Sequence, residues 1–376
     1  GVDGDYVYGG TTSGVGLITK SNFRHDYNWG QGTQTGNAVV ESMGDIAYIG
    51  TEGLGVLRYN ITSNQWLVPF TEDNGVLDGG NDDVTGLVAD IRPNLLWVGG
   101  DDGFQLINVT NGGEAYDIER SSSLYNADGA PQDMMIHNNI LYYHSGTSSD
   151  EVSRLDVANL TAPSNLDIGA RVGQNGGDIV SMELSGDTLM VSVVSGQWWN
   201  ADGSGGIARW NTVTSAWEDN ILPTGSIDRV TAYESSNGNT WVSWGELRLE
   251  LYDSSRNLVN AWTNFEFPIR GIVEHNGETL FATEDGVARY NENTNTWNTT
   301  WEAGNGLPSN AGDIFYELWT DGTHLVVGGA DFNNFGQFRE GIISHRNGAG
   351  AWTSYPADSN NNIPDGYPIS MEMCGG

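Results

Sequence analysis

Short apolar segments of four to seven residues recur along the chain, and each is followed by a glycine-containing turn and a second apolar segment. The recurring unit is clearest in the stretches that begin at Ala47, Leu96, Leu189, Thr279 and Leu325. Short apolar runs bounded by Gly, Asn and Asp are typical of β-strands joined in hairpins. No stretch keeps a 3.6-residue apolar period, so the pattern predicts an all-β chain.

The length of the repeat predicts the architecture. The second strands of the copies are separated by 39 to 52 residues and begin near Val7, Ala47, Leu96, Leu141, Leu189, Trp241, Leu280 and Leu325. Each copy has room for four short strands and cannot bury its apolar face alone, so the copies must pack side by side. We predict an eight-bladed β-propeller of four-stranded antiparallel blades. Seven blades are the alternative, if the irregular fourth copy around residues 141–166 is not a blade.

The two ends of the chain are predicted to share the first blade. The first copy begins with a second strand at residues 6–10, whereas residues 368–373 resemble the inner strands at residues 178–183 and 313–317. We expect the C-terminal segment to supply the missing inner strand, which would cover both sheet edges. Residues 1–376 are then predicted to form a single propeller domain.

Charge and hydropathy restrict the partners. The chain has 49 acidic residues against 15 Lys and Arg, which is a formal net charge of −34. Such a surface repels nucleic acids and anionic membranes. Neither a secretory leader nor an apolar run of about 18 residues is present, so we expect no direct insertion into a membrane. The single cysteine, Cys374, excludes an internal disulfide, and the Gly-, Asn-, Thr- and Trp-rich composition favours an extracellular or cell-surface location.

Several segments resemble the two-component-regulator propeller repeats. They are the linker at residues 305–310 with Asp313 after it, and the strand pair at residues 96–104. Three aromatic pairs that are seven residues apart are similar to those of kelch repeats, namely Tyr59 and Trp66, Trp210 and Trp217, and Tyr290 and Trp297. The resemblance implies a member of the β-propeller superfamily. In regulator proteins such propellers are extracytoplasmic sensor modules, often for glycans, so it implies a binding function.

Aspartates near the start of inner strands form the first candidate site, and they are Asp83, Asp133, Asp178, Asp228 and Asp313. The structural interpretation is favoured, because a short acidic side chain can accept hydrogen bonds from backbone N–H groups where a loop enters a strand. The alternative is a ring of carboxylates at the rim of a central channel, which would collect a hard cation such as Ca²⁺.

Two turns between second and third strands are much longer than the others, at residues 197–206 and 331–340. Loops on a rigid scaffold often carry binding residues, and aromatic rings beside amides can stack on a sugar or on a partner side chain. The candidate binding residues are Trp198, Trp199, Phe332, Asn333, Asn334 and Phe335. The alternative is that these aromatic rings fold back over neighbouring blades.

The first of these loops also contains a pattern similar to a Ca²⁺-binding loop. Oxygen-bearing side chains occupy alternate positions at Asn200, Asp202 and Ser204. The twelfth position is Asn211 and not the bidentate Glu of an EF-hand loop, and turn chemistry alone also explains the pattern. Calcium is the one cofactor that the sequence brings into consideration.

Motifs of catalysis are absent from the sequence. It contains no Gly-X-Ser-X-Gly and no His-Glu-X-X-His segment. This absence favours a binding function over an enzyme without deciding between them, and we predict an extracellular or cell-surface binding propeller that recognises a glycan or protein partner through one loop face. The alternative is a polysaccharide lyase or glycoside hydrolase with paired carboxylates at the mouth of the channel.

Overall fold

The structure is a computed structural model, and it describes residues 6–11, 14–19, 39–63, 65–77, 83–101, 103–119, 124–125, 130–145, 150–172, 177–194, 205–218, 222–225, 230–244, 248–255, 257–263, 269–283, 286–307, 314–332, 338–356 and 368–374. These residues form short strands and one helix of a single turn. Among them, no helix has the length and apolar character needed to cross a membrane.

The first strands of the chain are β1 (Tyr6–Thr11), β2 (Gly14–Thr19), β3 (Val39–Met43), β4 (Ile46–Gly50), β5 (Val56–Asn60) and β6 (Gln65–Trp66). They are followed by β7 (Val84–Ala89), β8 (Leu95–Gly100), β9 (Gly103–Asn108), β10 (Gly113–Glu119), β11 (Pro131–His137), β12 (Ile140–Ser145), β13 (Glu151–Asp156) and β14 (Leu166–Asp167). The helix α1 (Ile168–Val172) precedes β15 (Asp178–Ser185), β16 (Thr188–Val194), β17 (Gly205–Asn211), β18 (Ala216–Trp217) and β19 (Leu222–Gly225). The next strands are β20 (Val230–Glu234), β21 (Thr240–Trp244), β22 (Arg248–Tyr252), β23 (Leu258–Trp262), β24 (Gly271–His275), β25 (Glu278–Thr283), β26 (Gly286–Asn291) and β27 (Thr296–Ala303). The last are β28 (Gly306–Leu307), β29 (Ile314–Thr320), β30 (Leu325–Phe332), β31 (Phe338–Arg346), β32 (Trp352–Pro356) and β33 (Pro368–Cys374).

Successive strands pair into antiparallel sheets within two compact units. The unit Thr71–Pro268 contains the sheets β7–β10, β11–β14, β15–β18 and β20–β23, with β19 paired to β17. The unit made of Gly1–Phe70 and Ile269–Gly376 contains β3–β6, β24–β27 and β29–β32. It also contains the short parallel strand β28 beside β27 and a three-stranded sheet in the order β2-β1-β33.

The fold is an all-β propeller, as the repeat predicts. The described strands form seven blades of four antiparallel strands. Seven blades is the alternative prediction, whereas the first prediction is eight. The irregular fourth copy is not the reason for the difference, because it forms the four-stranded blade β11–β14. The first copy instead has three described strands. Its inner strand is β33, which pairs with β1 from Tyr6 opposite Cys374 onward and confirms the predicted sharing of a sheet by the chain ends.

The second strands of several blades are almost completely buried. In β8, β12 and β25 every residue after the first is buried, because these strands lie inside the sheet and have both faces covered. Trp97 and Phe104 pack with Leu141 and Tyr143 of the following blade, and the rings of Phe104 and Tyr143 meet edge to face at 4.6 Å. Full burial of one such side chain contributes about 2 kcal/mol, so the packing of adjacent blades supplies the core.

An asparagine or aspartate at the end of the third strand shapes the turn to the fourth strand in every four-stranded blade. Its Oδ1 atom accepts one or two backbone N–H groups at 2.7 to 3.1 Å from residues two to four positions later. Short polar side chains favour this turn because they satisfy N–H groups that no strand pairs. The seven residues are Asn60, Asn108, Asp156, Asn211, Asp253, Asn291 and Asn347.

The aromatic pairs that are seven residues apart lie directly opposite each other on the third and fourth strands. The ring centroids are 5.1 Å apart for Tyr59 and Trp66. They are 5.1 Å apart for Trp210 and Trp217, and 5.0 Å for Tyr290 and Trp297. All three pairs meet edge to face, which is a favourable geometry for aromatic rings. The spacing in the sequence is therefore the length of one hairpin.

Gly286 is predicted to be intolerant of a side chain. It has a φ of 142°, and a Cβ atom there would lie 2.3 Å from the backbone oxygen of Trp301. We expect Gly286→Ala to lower the free energy of unfolding by roughly 3 kcal/mol, because backbone strain and a backbone clash add. Urea denaturation followed by tryptophan fluorescence measures the loss.

Gly44→Ala is the matched control for this substitution. Gly44 also has a positive φ, of 60°, but nothing lies within 4 Å of the added atom. Its substitution should cost about 1 kcal/mol, the strain alone. Equal losses for the two variants would contradict the predicted clash.

Candidate functional site

The hairpin β30–β31 carries part of the predicted binding loop. These strands have eight and nine residues, whereas β25 and β26 of the preceding blade have six each. The additional pairs include Asp331 with Glu340 and Phe332 with Phe338. Two further residues lengthen a strand by about 7 Å. Phe332 is the last residue of β30, and Asn333, Asn334 and Phe335 lie outside the described residues.

The connection between β16 and β17 is the second predicted binding loop. Its base closes with the pair Val194 and Gly205. The strand β19 pairs with the same end of β17, with Gly225 opposite Gly205 and Leu222 opposite Ile207. Trp198 and Trp199, and the calcium candidates Asn200, Asp202 and Ser204, lie outside the described residues, so these assignments stay predictions.

The predicted channel-rim aspartates have different local environments. Asp178 is the first residue of β15 and is buried, whereas Asp83 precedes β7 and is exposed. Asp133 lies two residues inside β11, at a break in strand register, with a φ of 44°. Its Oδ2 atom is 3.3 Å from Nε2 of the buried His144. Asp228 and Asp313 lie outside the described residues, and within those residues no group of three His, Cys, Asp or Glu side chains is arranged to hold a metal ion.

Arginines at matching positions of the third strands have a structural role. Arg58, Arg154 and Arg289 each donate to the backbone oxygen ten residues later, at 3.1, 2.8 and 3.4 Å. Their guanidinium groups also lie 4.1 to 5.2 Å from the centroid of an aromatic ring. These contacts tie the third strand to the segment that follows it and place the charge on an aromatic face.

Arg209 occupies the same position on β17 but has different partners. Its Nη1 atom donates to Glu218 and its Nη2 atom to Glu234, which belongs to the next blade. The Arg209 side chain is only 6% exposed, and its Nε atom has no hydrogen-bond partner among the described residues. Thr188 donates through Oγ1 to Oε1 of Glu218 at 3.1 Å. Arg209 thus differs from the arginines at the matching positions in that its guanidinium group binds two carboxylates.

A third carboxyl group, that of Glu183 on β15, completes this arrangement. Burial and then the nearby charge of Glu234 raise the pKa of Glu183 to about 8. Burial is also the main reason that the pKa of Glu234 is raised, with the Glu218 charge adding to it and Arg209 opposing it. We call Glu183, Arg209, Glu218 and Glu234 the Glu183 cluster. At neutral pH a carboxyl group with such a pKa keeps its proton.

The Glu183 cluster and the predicted binding loop approach opposite ends of one blade. Glu183 lies two residues before the end of β15, at the turn from the first strand to the second. The predicted loop joins the second strand to the third. Successive turns of an antiparallel meander alternate between the two ends of the strands. The partly buried carboxyl groups of the Glu183 cluster are therefore separate from the loops that the sequence singled out.

The sequence did not predict the Glu183 cluster, because its members are spread over 52 positions from 183 to 234 and form no motif. One signal was available. Arg58, Arg154, Arg209 and Arg289 each precede Tyr, Leu or Trp and then Asn or Asp. In the copy that contains Arg209, the paired tryptophan Trp217 is followed directly by a glutamate, Glu218. In the copies that contain Arg58 and Arg289, the paired tryptophan is followed by Leu and by Asn.

His275, the last residue of β24, links the blade β24–β27 to the blade β29–β32. Like Glu183, it lies near the turn from the first strand to the second. Asn276 donates through Nδ2 to Nε2 of His275 at 2.8 Å, so Nδ1 carries the proton that His275 donates to Thr320 Oγ1 at 2.6 Å. Thr320 in turn donates to the backbone oxygen of His324 at 2.7 Å. Burial, followed by the positive charge of Arg346, lowers the pKa of His275. The chain of hydrogen bonds requires neutral imidazole.

No protein-family model matches the chain, and no curated protein matches it. Solved structures do. The computationally designed protein Ika8 has a TM-score of 0.60 at 14% identity, over 89% of this chain and 92% of that one. Dihydro-heme d1 dehydrogenase NirN has a TM-score of 0.64 at 12% identity, over 99% and 76%. The Dos1 propeller has a TM-score of 0.60 at 12% identity, over 87% of this chain and 90% of that one, and this likeness shows a β-propeller fold. The extracellular domain of BT4673 from B. thetaiotaomicron, described as a one component system, has a TM-score of 0.50 at 15% identity, over 77% of this chain and 36% of that one.

Arg209→Met is predicted to be more harmful than the same change at Arg154. Removal of Arg209 takes away the guanidinium group to which both Glu218 and Glu234 bond, and we expect a loss of about 3 kcal/mol in the free energy of unfolding at pH 7. Arg154→Met removes hydrogen bonds to Ser164 and a cation–π contact and should cost about 1 to 2 kcal/mol. Denaturant titrations at pH 7 and pH 5 measure both, and the Arg209→Met deficit should shrink at pH 5, because burial raises the pKa of Glu234 and favours its protonation. A larger loss for Arg154→Met would contradict the assignment.

Protonation of His275 is predicted to destabilise the protein below about pH 6.5. Because the folded state lowers this pKa, the unfolded chain takes up the proton first as the pH falls. The stabilisation by neutral His275 is thus complete above the unfolded pKa of about 6.5 and is lost below it, at no more than about 1.4 kcal/mol for each pH unit. His275→Gln should have a flatter stability curve between pH 7 and pH 5 in denaturant titrations. A wild-type slope in this variant would show that other groups cause the dependence.

Proposed function

We propose that this protein is a binding or interaction propeller, located outside the cell or at its surface, that recognises a glycan or a protein partner through one loop face. The observation that carries the proposal is the lengthened hairpin β30–β31. Its strands are longer than those of the neighbouring blade, and the sequence at its tip places Asn333 and Asn334 between Phe332 and Phe335. A short antiparallel ribbon on a packed blade is a rigid support for such residues.

The chemistry of the tip suits carbohydrate. Phe332 and Phe335 are the aromatic candidates, and Asn333 and Asn334 supply both donors and acceptors for hydroxyl groups. A net charge of −34 opposes anionic polymers, so we infer neutral glycans, or partners with basic groups, as ligands. Elsewhere in the repeat the conspicuous polar residues already have structural partners. Arg58 and Asn60 are examples, since both bond to the backbone of their own blade.

The proposed location is supported by the likeness to BT4673, because the matched part of that protein is an extracellular domain. The same protein is also described as a hybrid two component system, with a TM-score of 0.51 at 15% identity over 79% of this chain and 37% of that one. This chain spans little more than a third of those two structures. Because BT4673 is described as a one component and as a hybrid two component system, a role in sensing is part of the proposal.

A glycan array tests the proposed binding face. We expect Phe332→Ala combined with Phe335→Ala to weaken binding to any recognised glycan at least tenfold, the loss of about 1.4 kcal/mol. Val213→Ser is the control, because Val213 is also apolar and is 62% exposed in the turn from the third strand to the fourth in another blade. Unchanged binding by the double variant, or an equal loss in the control, would contradict the proposed face.

A carbohydrate-active enzyme is the second candidate, and the raised pKa of Glu183 favours it. A general acid needs a carboxyl group that stays protonated near neutral pH, and a second carboxylate nearby. Chromatography of array-positive glycans after incubation with the protein separates the two functions. Cleavage that Glu183→Gln abolishes would support the enzyme, whereas binding without products supports the binding propeller.

A further inference from the structure

The Glu183 cluster lies between two adjacent blades of one compact unit. Glu183 on β15 and Arg209 on β17 belong to blade β15–β18, and Glu234 ends β20, the inner strand of blade β20–β23. Arg209 bonds to Glu234 across this seam and to Glu218 within its own blade. Two carboxylates therefore share one guanidinium group where the two blades pack, and the Glu183 carboxyl group lies beside one of them, that of Glu234.

The charges do not balance if all three carboxyl groups ionise. Both Nη atoms of Arg209 already donate to Glu218 and Glu234, and the backbone of Glu234 provides a hydrogen bond to Glu183. Arg209 is the only Lys or Arg within the strands β15, β16, β17 and β20. Arg171 of α1 donates to the backbone oxygen of Glu218 at 2.9 Å.

The other charged groups on the packed strands have partners of their own. Asp187, in the turn after β15, pairs with His137 of β11 at 3.2 Å. Arg248 pairs with Glu250 on β22, and Glu250 also accepts the Tyr252 hydroxyl. Asp178 lies at the opposite end of β15. Full ionisation of the Glu183 cluster thus places three negative charges around the single guanidinium group of these strands, at a seam where the Arg209 side chain is only 6% exposed.

We propose that the seam between blades β15–β18 and β20–β23 is a pH-sensitive joint, held closed while Glu183 keeps a proton and progressively loosened as the pH rises. The proton removes one negative charge from the packed interface. It also lets a carboxyl group approach the Glu234 carboxylate as a hydrogen-bond donor. Opening of the seam exposes Glu183 to water, where its pKa returns to about 4.5.

The direction of the effect follows from linkage. Between about pH 4.5 and pH 8 the closed seam binds a proton that the open seam lacks. The equilibrium for opening therefore becomes more favourable as the pH rises through this window, by up to about tenfold for each pH unit. Above about pH 8 neither state binds the proton and the dependence levels off. The seam that contains His275 has the opposite dependence, because protonation loosens it.

Hydrogen exchange with peptide resolution tests the joint in the whole chain. Protection factors of peptides from β15 and β20, corrected for intrinsic exchange rates, should fall severalfold for each unit between pH 5.5 and pH 8. Peptides from β24 and β29 provide an internal comparison and should not follow this trend. Glu183→Gln carries the neutral form permanently, so its β15 and β20 peptides should keep their protection at every pH.

Glu41→Gln is the matched control. Glu41 occupies the equivalent position on β3, opposite Tyr48, which in turn lies opposite Arg58. We expect this variant to keep the wild-type pH dependence at β15 and β20. Flat protection factors in the wild type, or the same slope in Glu183→Gln as in the wild type, would overturn the proposal.

A measurement on the wild type alone keeps the proposal testable if Glu183→Gln does not fold. NMR of protein with ¹³C-labelled glutamate carboxyl groups should show one group titrating above pH 7. If every glutamate titrates below pH 6, the joint has no proton to lose and the proposal is wrong. Neither measurement depends on glycan binding or cleavage, so failure here is distinguishable from failure of the proposed function.

Discussion

Burial of both faces of each blade, which is possible only against neighbouring blades, is the constraint on which the rest of the structure depends. A second strand such as β8 is apolar at nearly every position because it has no face toward water. Trp97 and Leu141 belong to different blades and to one core, and Leu280 and Leu325 form a second example. Each copy of the repeat is therefore stable only beside another copy.

The same constraint decides where polar groups can lie. The turns are open to solvent and use Asn or Asp to satisfy free N–H groups, so these residues recur at the end of the third strand. Arginines inside a blade must find both a carbonyl oxygen and an apolar surface for the stem, which Arg58 does with Val68 and Phe70. Arg209 departs from this rule. It is bonded to two carboxylates, and its position makes the seam around Glu183 electrostatically unlike the others.

Two seams respond to pH for opposite physical reasons. A buried carboxyl group favours its neutral, protonated form, and a buried imidazole favours its neutral, deprotonated form. Glu183 and His275 are therefore both neutral in the folded protein. Their seams lie near the turns from first to second strands. The lengthened hairpin β30–β31 lies instead at a turn from second to third strand, so the proposed binding face is built from residues with no part in either seam.

The amino-acid sequence by itself determined the strands, the hairpins and the propeller, because those depend on local apolar periodicity, on turn residues a few positions apart and on repetition. The seven-residue spacing of Tyr59 and Trp66 was visible for the same reason. The pairing of β1 with β33 was predictable from the repetition alone, since residues 368–373 resemble the inner strands of other copies. Tertiary structure alone decided that seven blades have four strands, that Asp133 sits at a break in strand register and that Glu183 meets Glu234. The last of these depends on burial between blades. A pKa reflects the solvent that neighbours exclude and the charges they bring, and in this chain those neighbours lie 26 to 51 positions away from Glu183.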